Sequence, residues 1–208
     1  MSVRSILAHV EAMPVIWRQR LPLLLIIACF AVPLAAAWLL VGSWRPSHSV
    51  QHGELLNPAR PLADFRLDTL DDQRLNGAVL QGHWTLIYVA STMECAAPCR
   101  TALYNMRQTR LALGKDMGRV KTLLLLNGAP DSSLRQWLAT DHPAFTVGVA
   151  DVATQTELSG AFRSPGAIGE WIYLLDPLGN LLMRYPAAVE PRGMLKDLER
   201  LLRLSKIG

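Results

Sequence analysis

The chain has 208 residues, half of them apolar, with a formal net charge of +4 and three cysteines. That length supports one medium domain with a substantial core plus an accessory segment. No basic cluster is interleaved with aromatic residues, which argues against nucleic-acid binding.

Residues 1–20 are expected to be a cytoplasmic N-terminal segment that contains Arg4, Arg18 and Arg20. Leu21 to Val41 follows as 21 residues without a charge, long enough to cross a bilayer core of about 30 Å as a helix. Pro22 stands at its start and Pro33 inside it, where a kink is expected. A cleaved signal peptide is the competing reading, because Ala35-Ala36-Ala37 resembles a cleavage site. Apolar sequence continues past those alanines through Trp38-Leu39-Leu40-Val41, which favours an uncleaved anchor over residues 21–42. Basic residues favour the cytoplasmic side, and only Arg45 follows the span closely. The expectation is a bacterial inner-membrane protein with its N-terminus in the cytoplasm and the rest in the periplasm, where disulfides persist.

Residues 43–62 mix Pro, His, Ser and Gly without a period and read as a tether, with the outer domain occupying 63–208. Phe65-Arg66-Leu67 and the turn-like Leu70-Asp71-Asp72-Gln73 suggest a short hairpin. Thr85–Ala90 is a continuous apolar strand. A helix carrying Ala102, Leu103, Met106 and Leu113 follows, then a second apolar strand from Val120 to Leu126. Asp131-Ser132-Ser133 supplies N-cap chemistry for a helix with Leu134, Trp137 and Leu138. A third strand, Phe145 to Val149, precedes a short helix near Thr154–Phe162. Trp171–Leu175 and Leu181–Tyr185 flank Asp176-Pro177-Leu178-Gly179-Asn180 and make a hairpin. The apolar stripe Met194, Leu195, Leu198, Leu201 and Leu202 marks a C-terminal amphipathic helix. Strands alternating with helices, then a hairpin and a last helix, predict an α/β, thioredoxin-like fold, a mixed central sheet flanked by helices.

Cys95-Ala96-Ala97-Pro98-Cys99 lies where the first buried strand gives way to its helix. Residues four apart on a helical turn share one face, roughly 5–6 Å apart at Cβ. Such a pair suits a stabilising disulfide, an exchanging dithiol or a two-thiolate grip on a soft metal ion. With Pro98 in the first turn, Cys95 meets the positive end of the helix dipole, which lowers a thiol pKa. Cys95 is then the attacking thiol, and Cys99, on the face of Leu103 and Met106, the more buried resolving one. Glu94 opposes that activation. Cys29 falls within the span and reads as packing.

Three stretches together resemble the SCO/SenC family. They are Ala63-Asp64-Phe65-Arg66-Leu67, the run from Leu80-Gln81-Gly82-His83-Trp84 to Tyr88 that leads into the C-x3-C pair, and Tyr173 to Asn180. The resemblance implies a membrane-anchored periplasmic domain that binds Cu(I) through both cysteines and a distant histidine. It also implies action on the copper site of cytochrome c oxidase, so that the partner is an oxidase subunit or another assembly factor. Cys95 and Cys99 match the family pattern. The position of the family histidine falls on Ile168 and its neighbours Ala167 and Gly169, and no histidine follows residue 142. Ala97 stands where an acidic residue usually lies between the cysteines. Met93, Glu94, Met183, His83, His142, His48 and His52 are the remaining donors to consider, and Pro165 reads as a loop proline. Three functions follow: a thiol–disulfide exchanger, a Cu(I) metallochaperone using the same cysteines, and a non-redox assembly scaffold.

Overall fold

A computed structural model describes residues 15–43, 51–62, 65–71, 73–90 and 95–207. The chain divides into two units, Met1–Ser49 and Val50–Gly208.

In the first unit, helix α1 runs Val15–Ser43, and both Pro22 and Pro33 lie inside it without ending it. Its stretch Arg20–Leu39 holds 20 residues of mean hydropathy 2.4, none of them buried. At about 1.5 Å per residue, that stretch matches a bilayer core of about 30 Å. Thus α1 fits a single-pass membrane anchor.

The second unit is built on one eight-stranded mixed sheet. In chain order its elements are β1 (Glu54–Pro61), β2 (Arg66–Thr69), β3 (Arg74–Asn76), the single-turn α2 (Gly77–Leu80) and β4 (Trp84–Val89). Then come α3 (Ala97–Ala112), β5 (Val120–Asn127), α4 (Ser132–Asp141), β6 (Phe145–Ala150) and α5 (Val152–Ser159). The hairpin β7 (Trp171–Leu175) and β8 (Asn180–Pro186) and the helix α6 (Pro191–Leu204) complete it. The strand order is β1-β8-β7-β4-β5-β6-β2-β3. β4, β5 and β6 run parallel, joined through α3 and α4, and every other pairing is antiparallel.

Side chains alternate across a strand, so a strand buried on both faces reads as an unbroken apolar run. Leu86, Tyr88, Leu124 and Leu126 point to one face and pack with Leu103 and Met106 of α3 and Met194, Leu198 and Leu202 of α6. Ile87, Leu123 and Leu125 point to the other, among Phe65, Leu75, Leu158, Phe162 and Tyr173. Asp131 caps α4 by accepting from the Leu134 N–H at 2.7 Å, as its sequence context predicts. Between β7 and β8 the Gly179 N–H donates to the Asp176 carbonyl at 3.0 Å, and Gly179 takes a φ of 90°, which suits glycine.

The segment read as tether departs from expectation, because residues 54–61 form β1 and pair with β8. Glu54 stands opposite Arg184 and accepts from its Nε at 2.9 Å and its Nη2 at 2.5 Å. One N–H···O bond from Nε and one from Nη2 make this a bidentate pair, whose geometry fixes orientation as well as charge. The domain therefore begins before residue 63. Residues 44–50, which include His48, lie outside the described residues, as do Ala63 and Asp64.

Candidate functional site

β4 ends at Val89 and α3 begins at Ala97, which places Cys95 just ahead of the helix and Cys99 in its first turn. Pro98 occupies the first turn, where its missing N–H leaves no helical bond unmade. Ala96 is the N-cap and offers no side-chain acceptor, and no acidic residue stands in the first turn of α3. The first-turn N–H groups therefore keep their positive field beside the cysteines.

Cys95 and Cys99 are joined in a disulfide with their Cα atoms 5.1 Å apart. Cys99 was expected to be the more buried partner. In the disulfide both are buried to the same degree, at 5% and 4% exposure. What separates them is access: Cys95 lines an open trough of about 610 Å³, together with Ala96, Arg100, Ala129, Asp131, Ser133, Leu134 and Trp137, and Cys99 does not. Both cysteines pack into the same apolar core as Leu103 and Met106 of α3.

Arg100 and Trp137 did not stand out in the sequence as site residues. The Arg100 Nε donates to the Cys95 carbonyl at 3.1 Å, and its guanidinium lies 4.8 Å from the centroid of the Trp137 ring. A cation on an aromatic face keeps its charge while its plane is fixed. Trp137 meets His142 edge-on at 4.7 Å, and His142 meets Phe145 at 5.2 Å, so the stack runs from the disulfide loop to the end of α4. The available signal was an arginine directly after the second cysteine, on the helix turn that carries the pair. Asp131, another residue lining the trough, has its carboxyl pKa lowered by the Leu134 N–H and then the Ser133 hydroxyl.

The other predicted donors are scattered. His83 is near the start of β4, the end remote from Cys95, with its Nδ1 3.4 Å from the Gln81 carbonyl. His142 is buried at the C-terminal end of α4, and burial, then the nearby Arg107 cation, lowers its pKa. His52 faces Asp197 at 3.4 Å. Met183 is core, accepting from the Tyr185 hydroxyl. Met93 and Glu94 lie outside the described residues. Ile168 packs on the second apolar core, beside Gly169, whose carbonyl accepts from the Tyr88 hydroxyl at 2.7 Å. Pro165 is a loop residue whose carbonyl accepts from the Trp171 indole at 2.8 Å.

Among the described residues no three His, Cys, Asp or Glu side chains gather as a metal site. Two cysteines joined to each other and an isoleucine at the third position are a poor fit for a three-donor copper centre.

The family model described as "Transmembrane-like, thioredoxin-like, C-terminal domain" matches residues 84–205, more than half of the chain. Comparison with curated proteins finds no match. ScoI of Bradyrhizobium japonicum with copper bound is similar in structure, with a TM-score of 0.55 and 22% identity over 68% of this chain and 99% of that one. BsSco, a member of the Sco family of cytochrome c oxidase assembly proteins in which a disulfide switch was identified, has a TM-score of 0.55 and 14% identity, over 70% of this chain and 96% of its own. The thioredoxin domain of a thiol-disulfide oxidoreductase from Bacteroides vulgatus has a TM-score of 0.54 and 11% identity, over 68% and 94%. At these identities the likeness is one of fold. A mixed sheet with a cysteine pair at the β4–α3 junction, and a family model spanning it, lead to one conclusion: the chain belongs to the transmembrane-like, thioredoxin-like C-terminal domain family.

Proposed function

We propose that this protein is a membrane-anchored, periplasmic thiol–disulfide exchanger that serves cytochrome c oxidase copper-site assembly through Cys95 and Cys99. The observation that carries the reading is a disulfide at a helix N-terminus with Cys95 lining an open trough. Arg4, Arg18 and Arg20 before the uncharged span Leu21–Val41, against Arg45 alone close after it, support the orientation, and the assembly context is supported by the fold shared with Sco proteins such as BsSco.

In the reducing direction, the Cys95 thiolate attacks a client disulfide and one client sulfur leaves as a thiolate that takes up a proton. Cys99 then attacks the Cys95 sulfur, the mixed disulfide breaks, and the second client thiolate departs. Two electrons pass from the pair to the client, and Cys95–Cys99 is left oxidised. An upstream dithiol donor restores the pair by the same exchange in reverse. The positive field at the start of α3 stabilises the Cys95 thiolate and makes it the better leaving group.

The test uses the full chain in detergent micelles, reduced and mixed with bis(2-hydroxyethyl) disulfide. Cys99→Ala should accumulate a mixed disulfide on Cys95, whereas Cys95→Ala should not accumulate one on Cys99. Equal trapping on both cysteines contradicts the assigned roles.

A second reading, Cu(I) delivery by the same two thiolates, is favoured by the copper-bound state of the similar ScoI. It predicts stoichiometric Cu(I) uptake by the reduced chain that survives competition with a weak chelator.

A further inference from the structure

The trough beside Cys95 is asymmetric in charge. Arg100 lines it at the Cys95 carbonyl, and Asp131 lines it from the N-cap of α4. Among the described residues no ion pair joins these two, and no other carboxylate pairs with Arg100. The Arg100 Nε is engaged by the Cys95 carbonyl and its plane by Trp137, yet its terminal nitrogens bond no described group. The guanidinium is thus pre-oriented, with its two-pronged donor edge left over. An arginine held in this way loses little further freedom on gripping a carboxylate.

The apolar part of the trough is supplied by Leu134, Trp137 and Ala129. Asp131 has its carboxylate occupied by the Leu134 N–H and the Ser133 hydroxyl. It adds a negative charge that disfavours a second acid at that side.

We infer that this trough receives the cysteine-bearing segment of the client as an extended strand, with a carboxylate next to the reacting cysteine gripped by Arg100. The inference rests on the exchange reading above and deepens it by naming the client's chemistry. A sulfur arriving at Cys95 brings its flanking residues to the stacked pair of Arg100 and Trp137 and to Leu134. Arg100 selects an acidic neighbour, Trp137 and Leu134 cover an apolar one, and Asp131 repels an acid placed further along. Recognition and reaction then share one residue: the cation that grips the client also holds the backbone of the attacking cysteine.

The experiment uses the reduced full chain in detergent micelles, with Cys29→Ser in every variant. The probes are two short peptides, Gly-Glu-Cys-Gly and Gly-Lys-Cys-Gly, blocked at both ends and carrying 2-mercaptoethanol as a disulfide on the cysteine. The step read is attack of Cys95 on the peptide sulfur with release of 2-mercaptoethanol. Each rate is divided by the same variant's rate with bis(2-hydroxyethyl) disulfide. The unsubstituted site should favour the glutamate peptide by about fivefold at low salt, the scale of one exposed ion pair. Raising the salt should narrow the ratio. Arg100→Met should bring it near one, Arg100→Glu should invert it, Arg100→Lys should retain most of it, and Asp131→Asn should widen it. A ratio of one at the unsubstituted site, or a preference that persists in Arg100→Met, overturns the docking assignment and leaves the exchange reading standing. Failure of the unsubstituted chain to attack even bis(2-hydroxyethyl) disulfide overturns both.

Discussion

The Tyr88 hydroxyl donates to the Gly169 carbonyl at 2.7 Å and ties the end of β4 to the loop that carries Ile168. Strand β4 delivers the chain to the disulfide, so one buried bond ties the end of that strand to the segment before β7. Tyr88→Phe should lower stability by about 1–2 kcal/mol, the cost of a buried carbonyl left without its donor. Burial pushes the Tyr88 phenol up to about 12. The folded state holds that proton more tightly than an unfolded chain with the ordinary value of 10.0. The resulting stability is fully present below pH 10 and is lost as pH rises toward 12. Alkaline denaturation should thus be shallower in Tyr88→Phe, as read by circular dichroism.

Ile168 offers a test of the copper reading. If two thiolates lack only a third donor, Ile168→His should raise the Cu(I) affinity of the reduced chain by about tenfold or more in chelator competition. Cys95→Ala in the same background should remove the gain. An unchanged affinity would mean that the loop does not present the residue to the cysteines.

His142 gives a pH signature away from the disulfide. Its pKa is lowered from 6.5 by burial and then by Arg107, and its Nδ1 is buried without a partner. The unfolded chain takes up this proton at a higher pH than the folded one. Stability is therefore present above pH 6.5 and falls as pH drops below it toward the folded value. His142→Phe should flatten the loss of melting temperature between pH 7 and pH 5. A parallel loss in both proteins would place the acid sensitivity elsewhere.

Asp197 anchors the chain that leads into β1. Its Oδ2 accepts from the backbone N–H groups of His52 and Gly53 at 2.8 and 2.9 Å and from the Tyr185 hydroxyl at 3.3 Å. Asp197→Ala leaves buried donors unpaired and should cost about 3 kcal/mol in a melting experiment. Gly53→Ala should also destabilise, because a methyl there collides with the Tyr185 ring.

What could be read from the sequence follows from which residues signal their own environment. Leu86 to Tyr88 and Leu123 to Leu126 are buried on both faces, so their unbroken apolar runs announce central parallel strands. Asp131 and the Asp176–Gly179 turn carry their local chemistry in plain view. β1 does not, because it is an edge strand in which only Leu56 is buried, and Pro58 and Pro61 break the pattern. Its place comes from Glu54 meeting Arg184 across 130 residues, a pairing that no local period encodes. The cysteine pair was visible as a motif. The trough was not, because Arg100 of α3 meets Trp137 of α4 only in the folded domain, across 37 residues of sequence that no local period links. Nor did spacing reveal that Cys99 and Cys95 are equally buried once joined, since that depends on the core both pack into.

The central claim is that Cys95–Cys99 is a working redox couple and not a staple. The direct measurement is a redox titration of the full chain with Cys29→Ser, equilibrated in dithiothreitol buffers and quenched with a thiol-alkylating tag that reports by mass. The account predicts one reversible two-electron transition, the same from the oxidised and the reduced side. A pair that stays oxidised in excess dithiothreitol, or that reduces only when the domain unfolds, would contradict it.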